Sequence, residues 1–314
     1  MSTHLPHPIY VRDIDPLDTA RQVHARRSLT GREIRLARGA YVPATELREL
    51  NDDDRYRLKV LAVAQTRRHE MVVSHWSAAV LHGLPVARSW PTGVHVSIGR
   101  VSGGRSRRDV VKHAIPVSDD EIIEIDGVLV TSIARTVLDL AVSADRESAV
   151  IATDRALLID RFGRVPALVT LDQLWDSYVA RGNFRGSARA RAVLEFGETG
   201  AESPLESLSR LSMRTIGCPA PELQRGFTDY AGAIGNVDFY WERFRLVGEA
   251  DGAIKYLDPR MRGGKSAAEV VVAEKRREDR IRAIGEGVTR WPWEIGVRPH
   301  ALRTHLQRAG LPIP

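Results

Sequence analysis

The 314-residue chain carries 46 basic and 40 acidic side chains, for a net charge of +6, and 41 of the basic residues are arginine. With 43% apolar and 27% charged residues it has the balance of a soluble globular protein, which excludes collagen-like, disordered and disulfide-built chains. Its length suits about two domains. No apolar run approaches the ~18–20 residues of a membrane span. Residues 1–15 lack the apolar core of a secretory signal, and the single Cys218 can close no intrachain disulfide. A cytoplasmic location with no membrane partner is therefore expected.

In chain order, Asp15-Pro16 is a helix-start signal and predicts a helix over 16–29, followed by two short strands in 32–43 around Arg38-Gly39. The spacing of Leu58, Leu61, Ala62 and Ala64 predicts a helix over 54–70, continuing through Ser77–Leu81 and stopping at His82-Gly83-Leu84-Pro85. Strands are expected at 93–99 and 109–117, and two more across 121–131 around Asp126-Gly127. Helices follow at 131–142 and 145–158, then a mostly helical, charge-neutral stretch over 165–196. The segment Phe196-Gly197-Glu198-Thr199-Gly200 breaks the periodicity. Beyond it come a helix from Ser203 to about Ile216, strands at 221–227, 235–241 and 244–251, a helix at 266–285, a strand at Val288–Trp293 and a helix at 298–309. Helix, strands, helix, strand is an α/β order. The reading is an α/β chain with a reduced winged-helix-like segment over 1–50, a mixed α/β domain over 51–160, a helical linker over 161–200 and an α/β domain with a mixed, helix-flanked sheet over 201–314.

The positive charge is concentrated. Arg21, Arg26, Arg27, Arg32, Arg35 and Arg38 face one acid, Glu33; Arg105, Arg107 and Arg108 sit in a glycine-rich loop; Lys275, Arg276, Arg277, Arg280 and Arg282 share a helix. In a wing-like arrangement Arg32, Arg35 and Arg38 would meet phosphates, while Arg21, His24, Arg26 and Arg27 would enter a groove. A solvated basic face is the plainer alternative. His75, His82, His95 and His113 lack metal-motif spacing and read as structural or hydrogen-bonding groups. Arg135 and Asp139 form a helix-stabilising i,i+4 pair. One of Trp291 and Trp293, which alternate on the last strand, is expected in the core.

The acids of the C-terminal half are more informative. An antiparallel hairpin turning at Glu242-Arg243 brings Asp238 beside the Glu249–Asp251 end, and alternation sets Glu249 and Asp251 on one face. Three converging carboxylates suit a hard divalent cation such as Mg²⁺ or Mn²⁺, which can activate water and offset phosphate charge. Glu206 can join them from the preceding helix, and Lys255 or Lys275 can steady charge on a phosphate. Ser203-Pro204-Leu205-Glu206 is equally a capping box, and Asp251-Gly252 a turn signal.

Over residues 201–297 the pieces AESPLES, PELQ, VDFYW, LVGEADG with Lys255, EKRRED and VTRWPW resemble the Vsr-like (very-short-patch-repair-like) branch of the PD-(D/E)XK endonuclease superfamily. The resemblance implies a restriction-endonuclease-like fold and a Mg²⁺-dependent phosphodiesterase. Asp238, Glu249 and Asp251 would hold metal, Glu206 would be the helix acid, and Lys255 or Lys275 would replace a lysine where this chain has Asp251. Over roughly 15–160, SHWSAAVLHGLP, GVHVSIG and IDGVLVTSIARTVLDLA resemble the AbiEi-type antitoxin and regulator family. That implies a winged-helix start, a mixed α/β domain and DNA as partner, in a toxin–antitoxin, phage-defence or repair setting. A partner toxin or a second copy of the chain is the expected protein partner, and no small-molecule cofactor is expected. The alternatives are a DNA-binding regulator that keeps the nuclease fold without cutting, and an antitoxin that acts only on a protein.

Overall fold

The structure, a computed structural model, describes residues 5–14, 20–66, 71–99, 109–160, 163, 166–251 and 266–314. Arg105, Arg107, Arg108, Lys255 and the side chain of Arg21 lie outside the described residues. The chain is α/β, with helices around antiparallel and mixed sheets. It forms two compact units, one of Met1–Ala152 with Leu168–Phe196 and one of Thr153–Ala167 with Gly197–Pro314. Among the described residues no helix is long and apolar enough to cross a membrane.

The first unit begins with strand β1 (Ile9–Tyr10), helix α1 (Ala20–Leu29) and the hairpin of β2 (Glu33–Ala37) and β3 (Ala40–Pro43), in the sheet order β1-β3-β2. Helices α2 (Ala44–Glu49) and α3 (Asp52–Gln65) follow. Asn51 caps α3 by accepting the Asp54 amide at 2.8 Å. The helix expected to run from 54 to 81 is interrupted. Between α3 and α4 (His75–Leu81) lies β4 (Val72–Val73), central in a sheet ordered β6-β5-β4-β8-β7. Two β-branched residues are too short a run for periodicity to show; what fixes them is pairing with β5 (Val94–Ser97) and, in parallel, β8 (Val128–Thr131). Strands β6 (Val110–His113) and β7 (Ile122–Ile125) complete the sheet. Asp126 and Gly127, both at positive φ, make the β7–β8 turn, as a two-residue hairpin loop requires. Helix α5 (Ile133–Ser143) precedes α6 (Arg146–Leu157), and α7 (Leu171–Ala180) and α8 (Ser187–Phe196) pack on α5. The stretch expected as a linker thus contributes two helices to this unit.

In the second unit α9 (Pro204–Thr215) precedes a meander of β9 (Glu222–Asp229), β10 (Gly232–Trp241) and β11 (Leu246–Asp251). Helix α10 (Ala267–Ala283) then leads to β12 (Gly287–Pro292), which lies parallel to β11 at the sheet edge. The short α11 (Trp293–Gly296) and α12 (Pro299–Arg308) close the chain. Trp291, Phe239, Trp241, Leu302 and Leu306 build the larger core. A smaller one forms where Ile281 of α10 meets Tyr240 and Val247. As expected, one tryptophan of the pair is core: Trp291 is fully buried, whereas Trp293 is 41% exposed. The expected tight turn at Glu242-Arg243 is instead a 3-10 turn over Glu242–Phe244 with Arg245 left-handed.

Gly248 explains the apolar run Leu-Val-Gly-Glu-Ala-Asp. A Cβ there would stand 2.7 Å from Trp291 Cη2 and 2.9 Å from Trp241 Cζ3. The strand must be bare at this position for both indoles to close over it, and this locks the segment that carries Glu249.

Candidate functional site

Three elements of the second unit bring their acids together. Glu206 opens α9, Asp238 lies on β10 and Glu249 on β11, where Phe239 pairs with Gly248. Asp238 accepts the Ala250 amide at 2.8 Å, which ties its carboxylate to the strand bearing Glu249. Glu206 and Glu249 are buried, at 5% and 7% exposure. Each is pushed up to about 7, first by burial and then by the charge of Asp238. Asp238 is therefore the common neighbour of two carboxyls that hold their protons into the neutral range.

Both readings of Glu206 are present in its geometry. Ser203 accepts the Glu206 amide at 3.2 Å, as an N-cap does, and its hydroxyl donates to Glu206 Oε1 at 2.7 Å. The second carboxylate oxygen takes the Glu202 amide at 2.9 Å and the Gln224 amide group at 3.1 Å. Gln224 sits at φ +52, a conformation rare for its residue type. Sequence reasoning passed over Gln224 as a site residue, although it closes the PELQ segment.

Of the expected basic contacts, two turn inward. Arg277 donates to Glu249 Oε1 at 2.8 Å and also to the Asn236 carbonyl. Arg280 clamps Asp229 through Nη2 at 2.6 Å and Nε at 2.8 Å. Lys275 and Arg276 are exposed on α10. Asp251, at the end of β11, faces Arg290 Nη1 at 3.5 Å, and Arg290 also meets Glu278 at 3.1 Å. Neither arginine partner of the acids was signalled by spacing, since 28 residues separate Arg277 from Glu249 and 39 separate Arg290 from Asp251.

The donor set is all carboxylate, which matches a hard divalent ion. Two acids raised to about 7 by burial and then by an anionic neighbour are groups a cation would relieve. Among the described residues no three His, Cys, Asp or Glu side chains stand in a metal-holding arrangement, and Arg277 occupies one oxygen of Glu249.

In the first unit Arg26, Arg32, Arg35 and Arg38 are exposed around α1 and the β2–β3 hairpin. Arg27 reaches Glu33 at 3.3 Å. His24, expected at a groove, is instead buried: its Nδ1 meets Glu33 at 2.8 Å and its ring stacks on Tyr41. The four histidines read from the sequence as structural, His75, His82, His95 and His113, separate into two settings. His82 bonds the Thr131 carbonyl at 2.7 Å. His75, at φ +53, stacks on His113 with ring centres 3.5 Å apart, and His113 Nε2 meets His95 Nδ1 at 2.9 Å. Burial holds His75 down at about 2 and His95 at about 4, so these rings stay neutral. Arg135 and Asp139 do pair, at 3.1 Å, but inside the protein, where Arg181 joins them at 3.0 Å.

No family model matches the chain. Two uncharacterized proteins of Mycobacterium tuberculosis, from two strains, are each 33% identical to it over 125 residues, which is 40% of this chain. The match spans 44% of the relatives' own length, and their names assign no activity.

Proposed function

We propose that the second unit is a divalent-metal-dependent phosphodiesterase acting on DNA, joined to a regulator- or antitoxin-like first unit that contacts the same polyanion. The observation that carries this reading is the meeting of Glu206, Asp238 and Glu249 from a helix and two strands, with two of the three held at about 7. The resemblance to Vsr-like endonucleases calls for a helix acid, a strand aspartate and a second strand acid in that order. Asp238 and Glu249 would hold the ion, with Asp251 beside them. Bound Mg²⁺ or Mn²⁺ would offset phosphate charge and make water a stronger nucleophile. Gln224 and Ser203 orient Glu206 through its two oxygens. Arg277 leaves Glu249 to meet the phosphate, and exposed Lys275 lies on the same helix. Arg26, Arg32, Arg35 and Arg38 supply backbone phosphate contacts from the first unit.

The test is a nicking and cleavage assay on plasmid and single-stranded DNA with Mg²⁺ or Mn²⁺. Metal-dependent cleavage that disappears in folded Asp238→Ala and Glu249→Ala supports the reading; cleavage that survives both substitutions refutes it. A second reading, DNA binding without cleavage, is favoured by the Arg277–Glu249 and Arg290–Asp251 pairs, which already neutralise two of the acids. It expects salt-dependent DNA binding indifferent to EDTA and no product with either metal.

A further inference from the structure

The first unit contains a cavity of about 1030 Å³ between the segment after β6, α5 and the α7–α8 connection. That is the size of a small-molecule site. Its floor is built from arginines held from behind. Asp139, fully buried, accepts Arg135 Nε at 3.1 Å and Arg181 Nη1 at 3.0 Å through the same oxygen. Arg135 spends its other groups on Glu121 at 2.5 Å and the Pro116 carbonyl at 3.1 Å. Arg181 does not. Among the described residues its Nε and Nη2 donate to nothing, and its guanidinium lies 4.6 Å over the Phe184 ring. Arg185, four residues on, lines the same cavity and has no ion pair or hydrogen bond among the described residues, nor does the Asn183 amide. Burying a carboxylate with two arginines is costly and yields little net stability. Here it fixes the direction of a fork whose free edge is left with donors to spend.

We propose that this cavity binds a small organic anion, with one carboxylate or phosphate head on an apolar body. Arg181 and Arg185 take the head, a planar fork being matched to such oxygens. Ile115, Pro116, Val142 and Phe184 surround the body. The exposed rim acids Asp120 and Asp176 repel extended polyanions, so the site is separate in kind from a DNA-contacting surface.

The test is calorimetric titration of the full chain with benzoate and with phenyl phosphate, which separate the two head groups, and with benzyl alcohol as the neutral control. Saturable binding of at least one anion, none of the alcohol, and about tenfold weaker binding in Arg185→Gln and in Arg181→Gln are expected, a factor typical of one lost charge-assisted contact. Arg185 is exposed, so its variant decides the matter should Arg181→Gln fail to fold. No saturable binding by either anion, equal binding of the alcohol, or undiminished binding in folded Arg185→Gln overturns the proposal.

Discussion

Replacing Glu249 by glutamine should stabilise the metal-free protein at alkaline pH and leave it nearly unchanged at acid pH. In the fold this carboxyl is lifted from 4.5 to about 7 by burial and by Asp238. A raised acid binds an extra proton in the folded state between those two values. Its stabilising share is complete below pH 4.5 and is lost as pH rises through 7. One pKa unit is worth about 1.4 kcal/mol, so ionising Glu249 in place costs about 3 kcal/mol at pH 8. Glutamine keeps the shape of the protonated acid and removes that cost. The attraction of Arg277 for the charged form is already contained in that shift, so nothing further is subtracted for it. The net gain at pH 8 is about 3 kcal/mol, which for a folding unit of this size raises Tm by roughly 6–12 °C. Melting followed by circular dichroism in EDTA, at pH 4.5 and pH 8, measures the difference between variant and parent. An equal shift at both pH values, or a less stable variant at pH 8, would show that Glu249 is not raised by burial and Asp238 and would refute the electrostatic account of the cluster.

Mg²⁺ added at ten times its dissociation constant should stabilise the parent protein at pH 8 by about 1.4 kcal/mol and stabilise Asp238→Ala measurably less; equal shifts in differential scanning calorimetry would place the ion elsewhere. Replacing exposed Arg32 and Arg38 together by alanine should weaken DNA binding without changing sequence preference, and lower the logarithmic salt slope by about 1 per arginine. An unaltered slope in filter-binding titrations would remove the hairpin from the interface. Gly248→Ala should cost about 1–3 kcal/mol, because its methyl group must displace Trp291 or Trp241. Denaturant unfolding with an unchanged midpoint would contradict that packing.

What the sequence disclosed, and what it withheld, separates by the range of the interaction. Ser203-Pro204 marked the start of α9, Asp126-Gly127 a turn, and the β10–β11 hairpin put Asp238 beside the Glu249–Asp251 end, because each signal is local or spans one hairpin. Alternation could not show Arg277 on Glu249. The run Glu-Lys-Arg-Arg-Glu-Asp-Arg reads as a solvated or phosphate-gripping face, and charge alone does not tell which side of a helix turns inward. In the fold Arg277 and Arg280 point to the sheet, while Lys275 and Arg276 face water. The same limit applies to Arg135 and Asp139. Four-residue spacing revealed their pairing, yet what makes the pair unusual is Arg181, 42 residues beyond Asp139, and complete burial. The small net charge of this chain therefore conceals two different uses of opposite charge. On the surface such pairs are worth little. Inside each unit they hold a carboxylate or a guanidinium in one direction, and these fixed groups are where both proposals of binding begin.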